Sequence, residues 1–372
     1  MQNLLEILKI IDGALTSDPV KVCAYVEQLA RKVEASGDSK AAERLRRSLD
    51  QSKARKLSLH RISPNAPVPV DSESRLLLAD EESHGKHSIK IFLQSDEENV
   101  VNDFIRYIRS ADKLIERGVG ISPSLLMYGP PGCGKTELGR YIASQLDLPL
   151  INARIDSLVS SYLGSTAKNL RMLFEHAMSR PCVLFLDEFD AVAKLRDDKH
   201  ELGELKRVVV SLLQNIDTLD THTVLLAATN HEHLLDPAVW RRFAYKVHIQ
   251  RPDARVRAKL FAHFFGTFAP ESDICLYAAV SHELTGSDIR QICHDSVRET
   301  ILQDASHVSR ADVLKKLVQL RFNADEFSGL SLGEQIRKVR DLDPKLFTYR
   351  ILAELFGVSL GSIRDRLNKY NA

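Results

Sequence analysis

Eight consecutive residues, Gly129-Pro-Pro-Gly-Cys-Gly-Lys-Thr136, limit what this chain can fold into more than any other segment. They follow a short apolar run, Ser124 to Tyr128, and precede a stretch with helical periodicity, Glu137 to Gln145. Closely spaced glycines let a backbone curve around an anion, so that its amide groups and the start of the next helix face phosphate. The segment therefore predicts a strand, a phosphate-binding loop and a helix within a parallel α/β sheet.

Each part of this loop has an expected task in binding a nucleoside triphosphate. We expect Lys135 to reach the β- and γ-phosphates and Thr136 to ligate Mg²⁺. Cys133 stands at a variable position, where it serves either as a small side chain or as a reactive thiol near a helix start. The predicted nucleotide-binding set is completed by the loop backbone and the residue after it: Gly129, Pro130, Pro131, Gly132, Gly134 and Glu137.

Two carboxylates follow a second apolar run, Val183 to Leu186. Ligands of open α/β sheets bind at the carboxyl ends of the strands, where Asp187 and Glu188 would lie. We expect Asp187 to hold Mg²⁺, directly or through water, and Glu188 to orient and deprotonate the attacking water. An acidic pair after a strand is otherwise a solvated loop, but its occurrence together with a phosphate loop favours catalysis.

The rest of the chain divides by pattern. Leu150 to Ala153 and Val224 to Ala228 are further strand-like runs, and Asp103 to Arg117 has helical spacing. We predict a helical bundle over residues 1–60 for partner binding, a proline-rich and acidic linker over 61–88, and a nucleotide-binding α/β subdomain over 89–252. A helical lid over 253–325 and a helical tail over 326–372 complete the chain.

Charge changes sign between the bundle and the linker. Residues 40–61 hold eight Lys and Arg against two Asp and Glu, whereas residues 71–98 hold three against eight. The two segments are either separate solvated faces or partners in an intramolecular contact.

Composition excludes several classes of protein. The net charge of +1 is too small for a protein that coats a nucleic-acid duplex, and no apolar run reaches the roughly 20 residues of a membrane span. The five cysteines are odd in number and form no CxxC pair, so we expect no disulfide scaffold and a cytoplasmic location.

Together with the two phosphate-site motifs, two further segments make the chain resemble the AAA family of ATPases. Leu225-Leu-Ala-Ala-Thr-Asn230 resembles the strand that ends in a polar sensor, which implies that Asn230 contacts the γ-phosphate or the attacking water. Leu235-Asp-Pro-Ala-Val-Trp-Arg-Arg-Phe243 resembles the family's second region of homology. There Arg241 and Arg242 would be arginine fingers that act on the nucleotide of a neighbouring subunit, which implies a ring.

Three weaker resemblances concern loops, namely a pore loop, a signalling turn and a lid turn. Ser160 to Gly164 is similar to the central pore loop, in which Tyr162 and Leu163 would grip a polypeptide; a tyrosine that covers the core is the alternative. Asp217-Thr-Leu219 lies where the family has an inter-subunit signalling turn, but the usual glycine is absent.

Thr285-Gly-Ser-Asp288 resembles the lid turn beside the adenine, which implies that Gly286 and Ser287 line the nucleotide site. A serine at position 287, where more distant relatives carry a sensor arginine, resembles the narrower AAA clade. Gly203-Glu204 with Val208 to Leu213, and the string Asp236 to Phe243, resemble the katanin and spastin members of that clade.

The resemblance implies a Mg²⁺-dependent ATPase, ATP and Mg²⁺ as its cofactors, and an ATP-stabilised homo-oligomer, a hexamer in this family. It also implies a protein client that the ring remodels, unfolds or disassembles. Bacterial proteins of this type are often encoded beside subtilisin-like serine proteases, which makes such a protease a candidate partner. The N-terminal bundle is similar to microtubule-interacting-and-trafficking adaptor bundles.

The C-terminal segment Ile351 to Arg364 resembles a helix-turn-helix. Arg364, Arg366 and Lys369 would face phosphates if it binds DNA, although such helix pairs also serve as packing or docking units. Two functions therefore stand beside protein remodelling. One is an ATP-dependent, DNA-associated regulator, and the other is an ATP-switched activator of a partner protease.

Overall fold

A computed structural model describes residues 3–15, 19–55, 68–71, 75–82, 89–158, 163–193, 202–322, 327 and 329–369. Its contacts divide the chain into two compact units. The first unit consists of residues 1–91, 95–130 and 135–249, and the second consists of 92–94, 131–134 and 250–372.

Three helices begin the first unit: α1 (Leu4–Leu15), α2 (Pro19–Ala35) and α3 (Ser39–Arg55). Helix α2 packs against both of the others, which agrees with the predicted helical bundle. The turn before α3 contains Gly37 at φ +96°, a conformation that side chains rarely adopt.

A six-stranded sheet in the order β1-β3-β4-β5-β2-β6 forms the centre of the first unit. All neighbouring strands are parallel except β1, which runs antiparallel to β3. Every residue of β4 and β5 is buried, as expected for strands covered on both faces. The strands are β1 (Ala79–Glu82), β2 (Ser124–Tyr128), β3 (Leu150–Ala153), β4 (Cys182–Leu186), β5 (Thr223–Thr229) and β6 (Tyr245–His248).

Strand β1 corrects the prediction of a continuous linker over residues 61–88. Its acidic side chains form ion pairs with three arginines of the α/β subdomain rather than of the basic segment 40–61, so this acidic segment is part of the α/β subdomain. No local pattern predicts this strand, since its partners are distant in sequence. The pairs are Asp80 with Arg154, Glu81 with Arg180 and Glu82 with Arg140.

The helices of the α/β subdomain connect these strands. The segment 103–117, predicted as one helix, is part of two, which meet at Ser110. The acidic residues Asp96, Glu97 and Glu98 occupy the first turn, which stabilises an earlier start. The helices are α4 (Ser95–Arg109), α5 (Ala111–Glu116), α6 (Lys135–Leu146), α7 (Ile155–Leu158), α8 (Leu163–Met178), α9 (Asp190–Ala193), α10 (Leu202–Asp217) and α11 (Pro237–Trp240).

The second unit is helical, as predicted. Lid and tail share one hydrophobic core, in which Phe261 and Tyr277 of the lid and Phe347 and Leu352 of the tail are fully buried. The predicted boundary at residues 325 and 326 therefore separates no independent core. The helices are α12 (Ala254–Phe265), α13 (Glu271–Val280), α14 (Gly286–Leu302), α15 (Arg310–Arg321), α16 (Leu332–Leu342), α17 (Tyr349–Phe356) and α18 (Leu360–Lys369).

None of the helices in the described ranges combines the length and the apolar character that crossing a bilayer requires.

Candidate nucleotide site

The predicted phosphate-site residues of the first unit follow the carboxyl ends of three adjacent strands. Strand β2 leads into the phosphate loop, its neighbour β5 leads to Asn230, and β4 on the far side of β5 leads to Asp187 and Glu188. Because parallel strands present their carboxyl ends at one edge, this topology brings the separate motifs together.

Glycines of the loop adopt conformations that other residues rarely reach. Gly129 has φ +139°, and a Cβ atom there would lie 2.1 Å from the carbonyl oxygen of Ile249. Gly134 has φ +94°, yet a Cβ atom there would meet nothing within 4 Å. Close packing thus requires glycine at position 129. At position 134 the backbone angle requires glycine, and the space beside this residue is open.

Lys135 is the first residue of α6 and is only 7% exposed. Its Nζ donates hydrogen bonds to the carbonyl oxygens of Gly129 at 2.7 Å and Pro130 at 2.8 Å. A buried ammonium needs such acceptors, and these two carbonyls hold it inside the loop. The neighbouring Glu137, predicted to touch nucleotide, pairs with Arg140 at 2.9 Å.

Thr136 and Asp187 join the loop to the end of β4. The Thr136 hydroxyl donates to Asp187 Oδ2 at 2.6 Å, across 51 positions of sequence. A hydroxyl and a carboxylate oxygen side by side are hard oxygen donors of the kind that Mg²⁺ prefers, and a site with few protein ligands suits an ion that keeps its water and binds phosphate. These two residues therefore fit a magnesium ion.

Glu188 has an exposed side chain and a left-handed backbone at φ +49°. Its amide donates to Asp187 Oδ1 at 3.0 Å, which fixes the turn that directs the chain away from β4. Residues other than glycine and asparagine seldom adopt this region, and such strain concentrates at functional sites. The strained residue, Glu188, is the one that the sequence predicts to activate water.

Asn230 lies between two anchored residues. The Thr229 hydroxyl donates to Asp190 Oδ1 at 2.7 Å and accepts from the His231 amide at 2.9 Å. These bonds fix the backbone on both sides of Asn230, while its own side chain forms no hydrogen bond with a described residue. The Asn230 backbone is thus held in place, and its side-chain amide remains available to a ligand.

The lid turn is found in the second unit with loop residues 131–134. The Ser287 amide donates to the carbonyl oxygen of Gly132 at 3.0 Å, and Thr285 caps α14 in a reciprocal pair with Asp288. Gly132 has φ +74°, and a Cβ atom there would lie 2.3 Å from Ser287 Oγ. Gly286, at the start of α14, would place a Cβ atom 3.4 Å from the Gly132 carbonyl oxygen.

Pro131 belongs to the same segment. Its carbonyl oxygen lies 3.8 Å from the half-buried Cys133 thiol, which donates to it.

The paired arginines differ in their surroundings. Asp236 caps the start of α11 by accepting from the Ala238 amide, and both arginines follow the last residue of this helix. Arg242 forms an ion pair with Asp217 at the end of α10, and this carboxylate raises the pKa of the guanidinium. Arg241 is exposed and forms no hydrogen bond or ion pair within the described ranges.

The predicted pore loop is mostly outside the described residues. Tyr162 is not described, and Leu163 is described only as the first residue of α8. Their grip on a polypeptide therefore stays a prediction.

Comparison with known proteins decides the family. A model of the ATPase family associated with various cellular activities, AAA, matches residues 125–251. The AAA family ATPase y4kL of Sinorhizobium fredii is 34% identical over 295 residues, which cover 79% of this chain and 88% of the relative. The chain belongs to the AAA family. This AAA protein is accordingly an ATPase that binds nucleotide and hydrolyses ATP.

Two other relatives of this ATPase carry more specific names. The ATP-dependent zinc metalloprotease FtsH 2 of Sorangium cellulosum is 31% identical over 64% of this chain and 41% of its own length. The proteasome-activating nucleotidase of Methanopyrus kandleri is 30% identical over 70% of this chain and 63% of its own length. The chain therefore spans less than two thirds of either protein.

An aromatic cluster in this ATPase had no signal in the sequence. The Tyr128 ring, directly before the phosphate loop, stacks on His248 at 4.9 Å between centroids. Trp240, directly before the paired arginines, meets the same Tyr128 ring edge-on at 5.0 Å. These contacts join the residue before the phosphate loop to the segment that contains Arg241 and Arg242.

The N-terminal bundle of the ATPase docks on the segment before β5. Tyr25 of α2, which is fully buried, packs edge-on against the ring of His222 at 5.0 Å. Lys9 of α1 bonds Asp220 at 2.8 Å. Burial lowers the pKa of His222 to about 4, so the imidazole is neutral at physiological pH.

A second polar contact reinforces this docking. Lys32 of α2 bonds the buried carboxylate of Glu6 at 2.7 Å and that of Asp112 on α5 at 3.0 Å. Burial opposes the charged lysine, but the two carboxylates outweigh it and raise its pKa. Sequence periodicity predicts the bundle but contains no information on where it docks.

Proposed function

We propose that this ATPase is a ring-forming motor that uses ATP hydrolysis to remodel, unfold or disassemble a protein client. The observation that supports it best is the contrast between the two arginines. Arg242 is bound within its own chain by Asp217, whereas Arg241 is exposed beside it without an intrachain partner in the described ranges. An exposed guanidinium next to an anchored arginine is available for transition-state stabilisation on a neighbouring copy.

The roles within one chain follow from the contacts around each group. Lys135 would move from the loop carbonyls to the β- and γ-phosphates, and Asn230 would hold the γ-phosphate or the attacking water. Glu188 would take the proton of that water. Thr136 and Asp187 would hold Mg²⁺, which supplies positive charge to the phosphates when bound.

The backbone of residues 129–134, with Glu137 next to it, would surround the phosphates, and Gly286 and Ser287 would line the adenine side. Because Ser287 already bonds the Gly132 carbonyl, a change in the loop on nucleotide binding would be transmitted to α14.

A mixed-subunit experiment tests the ring. Lys135→Ala subunits keep both arginines but cannot bind nucleotide. Arg241→Ala subunits bind nucleotide but lack the arginine finger. Each variant alone is expected to be nearly inactive, and mixing them should restore ATP hydrolysis at the mixed interfaces. Mixing wild type with each variant at the same total concentration is the control.

Absence of recovery in the mixture, together with full turnover by a monomer in sedimentation experiments, would reject the shared site.

A polypeptide client is supported by the names of the relatives, which are an ATP-dependent metalloprotease and a proteasome-activating nucleotidase. In this chain Tyr162 and Leu163 would grip the client in the pore. Tyr162→Ala should abolish remodelling while basal ATP hydrolysis persists, and Tyr162→Phe should retain remodelling because it keeps the aromatic ring. Unchanged remodelling by Tyr162→Ala would remove this role.

The client and any partner protease would be captured with Glu188→Gln, which binds ATP and hydrolyses it slowly. Copurification from the native cell followed by mass spectrometry identifies what the ATP-bound ring holds. A subtilisin-like serine protease in this fraction would support the partner inferred from the resemblance. The odd number of cysteines and their spacing without a CxxC pair favour the reducing cytoplasm as the place of action.

The same variant separates a motor from a switch. If Glu188→Gln with ATP fully activates a partner enzyme, binding is sufficient and the protein acts as an ATP-switched activator. If the partner's output requires hydrolysis, the motor is supported.

A further inference from the structure

The last two helices of the second unit have the geometry of a helix-turn-helix. Helix α17 is capped at its end by Gly357, which is left-handed at φ +63°, and α18 begins three residues after this glycine. Ser359 caps α18 by accepting the Ser362 amide at 3.3 Å. Helix α16 contacts both, so that a third helix supports the pair. A turn of three or four residues with glycine is typical of DNA-binding helix pairs.

Helix α18 has one inner and one outer face. Ile363 and Leu367 point into the core, where they are 0% and 6% exposed. The exposed positions of α18 are Leu360, Gly361, Arg364, Asp365 and Asn368, of which Leu360, Arg364 and Asn368 follow one another at intervals of four residues. Arginine recognises guanine, asparagine recognises adenine, and an apolar side chain contacts the thymine methyl group. Leu360 is 54% exposed, which leaves much of its apolar side chain accessible.

Charge on the pair favours a polyanion. Helices α17 and α18 contain four Lys and Arg against two Asp and Glu. One of the two acids, Glu354, is paired with Arg310 of α15 at 3.6 Å, which directs it to the lid. Arg350 and Arg364 are exposed and form no hydrogen bond or ion pair with a described residue. The outer face thus has free cations on both helices, as phosphate contacts require.

We propose that α17 and α18 bind duplex DNA, with α18 in the major groove. The N-terminal half of α18 presents Leu360 and Arg364 to the bases, and Asn368 follows one turn later on the same face. Arg350 at the start of α17 contacts the phosphate backbone. DNA binding by this face is independent of the arginine fingers and the pore, so it adds a duplex anchor to the proposed motor.

The test is fluorescence anisotropy of a labelled duplex of about 30 base pairs, roughly three helical turns, titrated with the full chain at low and rising salt. We expect binding that weakens linearly on a log–log plot against salt. Arg364→Glu should weaken binding by about tenfold or more, whereas the matched control Arg255→Glu, at an exposed arginine of α12, should change it less than about twofold.

ATP hydrolysis by Arg364→Glu should equal that of the wild type, which shows that the variant is folded and separates this test from that of the motor. A second arm selects from a random duplex pool, where Asn368→Ala should alter the preferred base at one position. Absence of salt-dependent binding at low ionic strength, or equal binding by Arg364→Glu and the wild type, would overturn the proposal and favour a protein partner on this face.

Discussion

Asp217 binds Arg242 through two hydrogen bonds, from Nε to Oδ1 at 2.8 Å and from Nη2 to Oδ2 at 3.0 Å. Asp217 is the last residue of α10, and Arg242 follows α11. Ser124 at the start of β2 accepts the Ala244 amide and donates to the Arg242 carbonyl, which fixes the same segment from the other side. The arginine pair is thus held from two directions.

The two arginines should differ in kinetic effect. Arg241→Ala should lower kcat by about 10³ if its guanidinium stabilises the transition state on a neighbour. Asp217→Asn should lower kcat by about one to two orders of magnitude, because it frees Arg242 and loosens the segment that positions Arg241. Steady-state ATPase assays give both values, and nucleotide binding should be nearly unchanged in each. An Asp217→Asn enzyme with wild-type kcat would refute the positioning role.

Two substitutions in the nucleotide site should differ in their effect on nucleotide binding. Lys135→Ala should abolish nucleotide binding, since it removes the charge that faces the phosphates. Glu188→Gln should bind ATP normally and slow its hydrolysis by about 10²–10⁴, because only the proton acceptor is lost. Equilibrium binding of a fluorescent ATP analogue and single-turnover hydrolysis separate the two. Weak binding by Glu188→Gln would contradict the assignment.

The chain's single tryptophan should report nucleotide binding. Trp240 contacts Tyr128, whose next residue is Gly129 of the phosphate loop. Movement of the loop around phosphates changes the surroundings of the indole, so ATP should change the intrinsic fluorescence of the wild type. Lys135→Ala, which does not bind, is the control and should show no change. Constant fluorescence at saturating ATP would show that this aromatic contact does not sense the loop.

Acid should destabilise the first unit through His222. An unfolded histidine titrates near pH 6.5, whereas burial lowers the pKa of folded His222 to about 4. Above pH ~6.5 the imidazole is neutral in both the folded and the unfolded chain, so His222 does not lower the free energy of unfolding. As the pH falls from ~6.5 to ~4, only the unfolded chain takes up the proton, so stability declines by up to about 3 kcal/mol.

The charges around this imidazole are Asp220, which favours its protonation, and Lys9 and Lys32, which oppose it. Asp112 also favours protonation, more weakly. Urea unfolding at pH 7 and pH 5 should therefore differ less in His222→Gln than in the wild type. An identical pH dependence in both proteins would show that another group is responsible.

Local patterns predicted the parts of the nucleotide site but not their fine geometry. Glycine spacing and apolar runs depend only on near neighbours, so the loop around Lys135 and the strands before Asp187 and Asn230 could be located. The hydrogen bond from Thr136 to Asp187 and the left-handed backbone of Glu188 became visible only in the folded chain.

The amino-acid sequence by itself determined the family, the strands β2 to β5 and the helix pair around Gly357. Only the tertiary structure decided that an acidic segment becomes the edge strand β1, that the tail joins the core of the lid, and that the bundle docks through Tyr25 and His222. The physical reason is the long sequence separation between the residues that make these contacts. Contacts such as that of Arg180 with Glu81 join residues 99 positions apart, and no local pattern specifies such partners.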